Sequence, residues 1–352
     1  MARRAAPWRN TILVGDAREQ LATLPAASVD TVITSPPYYG LRDYGASGQL
    51  GLEADVDGWV ADVRAVVAEV ARVLAPHGAL WLNVGDGYAR HPREGAPKGG
   101  LLLGPERLAL ALVEDGWIIR NKVIWAKTNP MPSSVRSRLA TTYEVIYLLT
   151  RTIDPFFDLD AIRLPHRSRQ QTKQAGAAGR VYPPPAAAAH LGKLRRTNLN
   201  AGLGTMKANG RIGHPWGRNP GDVWSFSTAG YREAHFATFP LALVERPMLA
   251  TCPERVCDHC GRPWRRVGAP ATAANAASRE LNPDCDCQAG WRPGIVLDPF
   301  MGAGTVALAA EAHGRDWTGV ELNPDFAALA MARIRRARIG RTVLPATETQ
   351  AA

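Results

Sequence analysis

The stretch from Ile295 to Glu321 constrains the fold of this chain more than any other. Ile295-Val-Leu297 reads as a short apolar strand, Asp298-Pro-Phe-Met-Gly302-Ala-Gly304-Thr305 as a glycine-bearing loop, Val306 to Ala312 as a helix, and Asp316 to Val320 as a second strand ending in Glu321. A strand that returns through a helix to a parallel neighbour needs a crossover packed on a sheet face, which commits this part of the chain to an α/β architecture. Gly302 and Gly304 let backbone approach a ligand closely, the helix start offers unpaired N–H groups, and an acid about 20 positions on can bind ribose hydroxyls. The loop therefore reads as a nucleoside-cofactor site. Gly302, Gly304 and Ala307 also fit the loose Gly-x-Gly-x-x-Gly/Ala pattern, so a nicotinamide-dependent oxidoreductase stays open on this loop alone.

The N-terminal part alternates in the same way. Thr11 to Val14 reads as a strand ending at Gly15-Asp16, Ala17 to Leu24 as a helix stopped by Pro25, and Val29 to Thr34 as the next strand. Trp59, Val63, Val66, Val67, Val70, Val73 and Leu74 recur at helical spacing up to Pro76-His77-Gly78, one face of an amphipathic helix. Strand Ala79 to Val84, helix Pro105 to Glu114, and strands Ile118 to Trp125 and Glu144 to Leu149 follow, with Trp81 and, further on, Trp224 read as core. The expected fold is α/β, a Rossmann-like, mostly parallel sheet with helices on both faces. Ligands of such sheets bind at the carboxyl ends of strands. One such end carries Ser35-Pro36-Pro37-Tyr38. Two prolines cannot donate to a ladder and hold φ fixed, so the segment forms a rigid polar notch. A Ser35 hydroxyl, the Ser35 and Pro36 carbonyls and the flat Tyr38 ring suit a planar ring bearing an amino group, as a nucleobase does.

Charge points the same way. The 352 residues are 46% hydrophobic, enough for a core, and carry a formal charge of +10. The basic residues concentrate between Arg163 and Arg218, where Lys193, Arg195, Arg196 and Arg211 lie and no Asp or Glu intervenes before Asp222. Gly, Ala, Pro and Gln fill the rest, so the stretch reads as a loop-rich segment that orders on nucleic-acid phosphates. Lys127, Arg136 and Arg138 mark a second basic loop, and Arg42 follows the notch as a rim residue. No run approaches the ~18 apolar residues of a membrane span and the N-terminus lacks a secretory pattern, so a cytoplasmic location without membrane association is expected. In that compartment Cys257-Asp-His-Cys260 and Cys285-Asp-Cys287 read as four thiolates of a structural zinc site rather than as disulfides. Such a closed site is read as bracing the two lobes, with a peripheral DNA contact through Arg262, Arg265 and Arg266 left open.

Together these residues resemble the amino-group DNA methyltransferases of the permuted β arrangement, in which the catalytic half precedes the cofactor half. The likeness spans most of residues 9 to 160 and 221 to 340. It implies S-adenosylmethionine as cofactor and double-stranded DNA as partner, with a cognate restriction endonuclease open and the oligomeric state unspecified. Ser35, Pro36, Pro37 and Tyr38 match the family's catalytic motif, with Asn83-Val-Gly-Asp-Gly-Tyr88 the segment after it. Asp16 matches the acid at the cofactor adenine. Asp298, Phe300, Gly302, Gly304 and Thr305 match the cofactor loop, and Glu321 the ribose acid. His235, Phe236, Phe239 and Pro240 match the motif that closes over the methionine end. Serine at the head of the motif accompanies cytosine N4 more often than adenine N6, for which aspartate is commoner, so cytosine is favoured and adenine stays open. RNA or a protein glutamine amide would present an amino group to the same notch. Carbon-5 methylation is excluded, because it needs a cysteine nucleophile and no Pro-Cys pair lies near the base pocket.

The expected division is a catalytic half at 9–160, a basic target-recognition insert at 161–221, a core return with the cofactor-closing motif at 222–252, a zinc-binding insert at 253–291, a cofactor-binding half at 292–340 and a flexible tail at 341–352.

Overall fold

The structure is a computed structural model that describes residues 6–165, 216–228, 240–266 and 281–343. Its centre is an eight-stranded sheet. In chain order the elements are β1 (Thr11–Val14), α1 (Ala17–Ala22), β2 (Val29–Thr34), α2 (Val56–Val73), β3 (Leu74–Val84), α3 (Gly104–Glu114), β4 (Ile118–Lys127), β5 (Tyr143–Thr150) and β6 (Val223–Phe226). They continue with α4 (Leu241–Thr251), the two-residue strands β7 (Val256–Cys257), β8 (Arg265–Arg266), β9 (Leu281–Asn282) and β10 (Trp291–Arg292), then β11 (Ile295–Asp298), α5 (Thr305–Ala312), β12 (Asp316–Glu321) and α6 (Pro324–Val343).

The strands run β1-β12-β11-β2-β3-β5-β4-β6 across the sheet. β5 is antiparallel to both of its neighbours, and the other pairings are parallel. The expected mostly parallel sheet is therefore observed. The last strands in the chain, β11 and β12, sit between the first two, so the seam between β11 and β2 joins residues far apart in sequence. From that seam β11 leads one way to β12 and β2 leads the other way to β3, which opens a crevice at the strand carboxyl ends.

Side-chain alternation feeds two cores. Val32, Leu80 and Leu82 pack with Leu21, Trp59, Val63 and Leu108 of α1–α3 on one face. Ile33, Trp81 and Ile146 pack with Leu243, Met248, Val306 and Ile334 of α4–α6 on the other. Trp81 and Trp224 are both buried, with ring centroids 5.9 Å apart.

The structure departs most from the sequence reading at two boundaries. α2 starts at Val56 rather than Trp59, because Asp55 caps it by accepting from the Gly58 amide at 2.8 Å. β3 starts at Leu74 rather than Ala79: Leu74 pairs with Val29, and a register shift between Val29 and Thr31 absorbs Pro76, which cannot donate to a ladder.

At the amino end of β2 lies a buried polar anchor. Asp30 is fully buried and accepts from Arg292 at 2.6 and 3.2 Å, from His77 Nε2 at 3.0 Å and from the Ile295 amide at 2.8 Å. Burial alone would raise its pKa, but the His77 hydrogen bond and the Arg292 charge outweigh it and hold the carboxyl below its ordinary range. Arg292 belongs to β10, which pairs with Cys257-bearing β7, so this contact fastens the cysteine-bearing segment to the sheet.

Candidate active site

At the carboxyl end of the seam the hydroxyl of Thr34 donates to Asp298 Oδ1 at 2.7 Å. That bond sets the Ser35 notch beside the glycine loop. Together they line one cavity of about 710 Å³, with Asp16, Ser35–Tyr38, Asn83, Lys127, Glu144, Phe300, Gly302, Thr305 and Glu321 among its walls.

On the glycine side, Gly302 adopts φ +49° and a Cβ there would meet nothing within 4 Å, so the loop presents bare backbone to the cavity. Its amide donates to Glu321 Oε2 at 2.8 Å, and Glu321 Oε1 accepts from the Asn323 amide at 3.0 Å. Burial raises the Glu321 pKa. Gly304, at φ +76°, precedes α5, whose first turn has no side-chain cap. Uncapped helix amides beside an open glycine turn are suited to the polar groups of a ligand. Asp298 lies beneath this surface, 1% exposed. Its Oδ1 also accepts from the Phe300 amide at 3.1 Å, while Oδ2 has no partner. Burial is the main reason its pKa is pushed up to about 7; the Thr34 and Phe300 hydrogen bonds oppose the rise and the Glu321 charge adds to it. Across the cavity Asp16 caps α1, accepting from the Arg18 and Glu19 amides.

On the notch side Pro36 is buried and the Pro37 carbonyl accepts from Trp59 Nε1 at 2.8 Å, which pins the turn to α2. The Tyr38 ring packs so close to Gly85 that a Cβ there would stand 2.7 Å from Tyr38 Cε2. Its hydroxyl lies 3.1 Å from Ser35 Oγ and donates to Glu144 Oε2 at 2.7 Å. Asn83 Nδ2 lies 2.7 Å from the Tyr38 hydroxyl, 2.9 Å from Glu144 Oε2 and 3.3 Å from Ser35 Oγ, three oxygens that share its two N–H bonds. Lys127 Nζ closes the set on Glu144 Oε1 at 2.6 Å. Burial, then the Glu144 charge, raise the Tyr38 pKa well above its usual value, so the phenol stays protonated.

The remaining sequence candidates are placed as follows. Arg42 lines the cavity. Arg136 and Arg138 are exposed, and the Arg138 guanidinium lies 3.5 Å from the Tyr88 ring centroid. Lys127, read from the sequence as a phosphate contact, is drawn into the cavity wall by Glu144, and its side chain is 22% exposed. Pro240 precedes α4. His235, Phe236, Phe239, Lys193, Arg195, Arg196 and Arg211 lie outside the described residues. Cys257, Cys260, Cys285 and Cys287 bring their sulfurs within 4.8 Å of one another. Sequence reasoning missed Glu144 altogether and saw Asn83 only as the start of a motif. Glu144 is the second residue of β5, two places across the sheet from β2, and nothing in its local pattern points toward the notch.

A glycine turn and helix start facing a polar notch at the switch point of an α/β sheet form a nucleotide-type binding site. Residues 29–332 match the DNA methylase family of N6 and N4 type, and the chain belongs to that family. It is a DNA amino-methyltransferase, which sets aside the nicotinamide reading left open by the glycine loop. The chain is similar to the type II methyltransferase M.XycI of Xanthomonas campestris pv. cyanopsidis, 33% identical over 348 residues that cover 93% of this chain and 88% of the relative. It is also similar to the type II methyltransferase M.SmaI of Serratia marcescens, 31% identical over 349 residues that cover 93% and 91%. In fold it is like the cytosine-N4-specific PvuII DNA methyltransferase, with a TM-score of 0.54 and 16% identity over 94% of this chain and 91% of that one. Among the described residues no helix is long and apolar enough to cross a membrane.

Proposed function

We propose that the protein is a site-specific methyltransferase that moves a methyl group from S-adenosylmethionine to the exocyclic amino group of a base flipped out of duplex DNA, with cytosine N4 the favoured target. The observation that carries the reading is the Thr34–Asp298 seam, which puts the Ser35 notch and the Gly302 turn on one cavity. The cavity fits the cofactor: bare backbone at Gly302, uncapped amides of α5, and two half-buried acids, Glu321 for ribose hydroxyls and Asp16 for the adenine amino group. Phe300 and Thr305 complete that wall, and the segment His235 to Pro240 would close over the methionine end. When bound, the cofactor supplies an electrophilic methyl group. Nesting of β11 and β12 between β1 and β2 supports the permuted arrangement.

An exocyclic amine has its lone pair delocalised into the base. The Ser35 hydroxyl and Pro36 carbonyl, as acceptors for its two N–H bonds, favour a pyramidal, nucleophilic nitrogen, and in-line placement supplies much of the rate. Tyr38 offers its ring to the base, offsetting part of the few kcal/mol that flipping costs. Serine rather than aspartate at the head of the notch is what favours cytosine. Arg42, Arg136 and Arg138 are set to meet DNA phosphates, with Lys193, Arg195, Arg196 and Arg211 as the basic recognition segment. The cysteines fit zinc, since a Zn–S bond of about 2.3 Å puts tetrahedral sulfurs ~3.8 Å apart. A cognate endonuclease is in keeping with the type II names of the relatives.

The test is incubation with S-adenosylmethionine and varied duplex DNA, followed by mass spectrometry of the nucleosides. N4-methylcytosine is expected. N6-methyladenine alone would reverse the base assignment, and the absence of any methylated nucleoside across substrates would overturn the proposal.

A further inference from the structure

Methyl transfer to an amine leaves one proton to remove. As the nitrogen bonds to the methyl carbon, the carbon–sulfur bond breaks and its electron pair stays on sulfur, leaving the sulfonium neutral and the nitrogen cationic. That proton must leave the notch.

The notch holds a directed chain of hydrogen bonds that the transfer step itself does not need. The Tyr38 hydroxyl gives its one proton to Glu144 Oε2 at 2.7 Å, so across the 3.1 Å contact with Ser35 Oγ the serine is the donor and the Tyr38 oxygen the acceptor. Glu144 is held from the far side by Lys127 at 2.6 Å. The pair is not sealed, with side-chain exposures of 22% for Lys127 and 14% for Glu144. The chain thus runs from the atom that would face the substrate amine to a carboxylate with access to solvent.

We propose that Glu144 is the terminal proton acceptor of the reaction, reached from the methylated nitrogen through Ser35 and Tyr38. This rests on the methyltransferase reading of the same cavity. The aminium N–H bond breaks and its proton goes to Ser35 Oγ. The Ser35 proton goes to the Tyr38 oxygen, and the Tyr38 proton goes to Glu144 Oε2. Nitrogen regains its lone pair, serine and tyrosine end neutral, and the positive charge of the aminium cancels the negative charge of Glu144. Tyr38 acts as a carrier and never as a phenolate, in keeping with its raised pKa. The proton leaves Glu144 for solvent, to which the Lys127–Glu144 pair is open, before the next turnover. Glu144 acts through Ser35 and Tyr38 and is a positioning and relay residue.

The experiment is single-turnover methylation of duplex DNA under saturating cofactor, which isolates chemistry from product release. Wild type is measured first; if it transfers no methyl group, the proposed function fails rather than the relay. Given an active wild type, Glu144→Gln keeps the hydrogen-bond shape and removes the acceptor. The single-turnover rate should fall by about 100-fold or more, with cofactor and DNA dissociation constants unchanged. Glu144→Ala should regain rate when formate is added, and the gain should vanish in Glu144→Ala with Tyr38→Phe, because the relay is cut between serine and the added carboxylate. A wild-type single-turnover rate in Glu144→Gln would overturn the proposal. So would a slow, properly folded Glu144→Ala enzyme that formate fails to rescue, since a structural role alone then explains the loss.

Discussion

Replacing Asp298 by Asn should change how stability depends on pH more than it changes stability at any one pH. The carboxyl is 1% exposed and its pKa is pushed up from 3.8 to about 7, mainly by burial. Between those values the folded protein keeps a proton that the unfolded chain has lost, so stability falls as pH rises across that window and levels off above it. Each tenfold gain in proton affinity on folding is worth about 1.4 kcal/mol, so the roughly thousandfold gain here gives a span of about 4 kcal/mol. Asparagine keeps an acceptor for the Thr34 hydroxyl and the Phe300 amide but does not titrate. It places an amide nitrogen where Oδ2 has no partner, an offset of about 1–3 kcal/mol that does not vary with pH. Urea unfolding of the cofactor-free protein, followed by tryptophan fluorescence at intervals from about pH 5 to about pH 8, separates slope from offset. The variant should gain on wild type by roughly 3 kcal/mol over that range. A constant difference at every pH would show that Asp298 ionises like an ordinary carboxylate, and the assignment of a buried, protonated acid beneath the glycine loop would be wrong.

The opposite sign holds at the other end of β2. Asp30 has a depressed pKa, so its contribution is present above the ordinary carboxylate range and is lost as pH falls through its folded value. Asp30→Asn leaves Arg292 without its charge partner in a largely buried site and should cost about 3–5 kcal/mol at neutral pH, read from chemical denaturation. A loss below about 1 kcal/mol would mean that the pair is solvated like a surface bridge. For the cysteine cluster, elemental analysis should find one zinc per chain. Chelation should lower Tm by roughly 5 °C or more, because metal binding free energy is folding free energy for the segment it closes. An unchanged Tm after complete metal removal would refute a bracing role.

What was legible in the sequence was whatever repeats locally. The apolar runs Val29–Thr34 and Ile295–Leu297 and the helical spacing from Trp59 to Val73 gave the alternation of strand and helix, and the glycines and prolines gave the two turns. Boundaries failed where a single contact decided them, as at Asp55 capping α2 and at the bulge that lets β3 run through Pro76. The relay was out of reach for a different reason. Ser35 and Tyr38 were legible from the notch, but Glu144 and Lys127 join them from β5 and β4 across the sheet, and no spacing rule links those positions. Asp30 was hidden too. A charge inside an apolar strand reads as a blemish until its partner, 262 residues away, is seen.

β2 carries buried polar residues at both ends, Asp30 and Thr34, and each reaches the C-terminal part of the chain. Between them the ladder to β11 has only the register pairs Thr31 with Val296 and Val32 with Leu297. The short seam beneath the cavity is therefore fixed at two points of unlike consequence. The Asp30 contact lies at the amino end and holds the cysteine-bearing segment, whereas the Thr34 bond lies directly beneath the Gly302 turn. Thr34→Val keeps the shape and removes the hydroxyl, so Asp298 Oδ1 loses its donor and the glycine loop loses its tie to the notch. The expected cost is about 1–2 kcal/mol of stability, with a fall of about tenfold or more in cofactor affinity by titration calorimetry, since the loop must be re-ordered on binding. Asp30→Asn should show the reverse pattern, with a large stability cost and cofactor affinity within about twofold of wild type under conditions where it remains folded. If both variants lose affinity in proportion to stability, the seam is a single cooperative unit, and the separate role assigned to Thr34 is wrong.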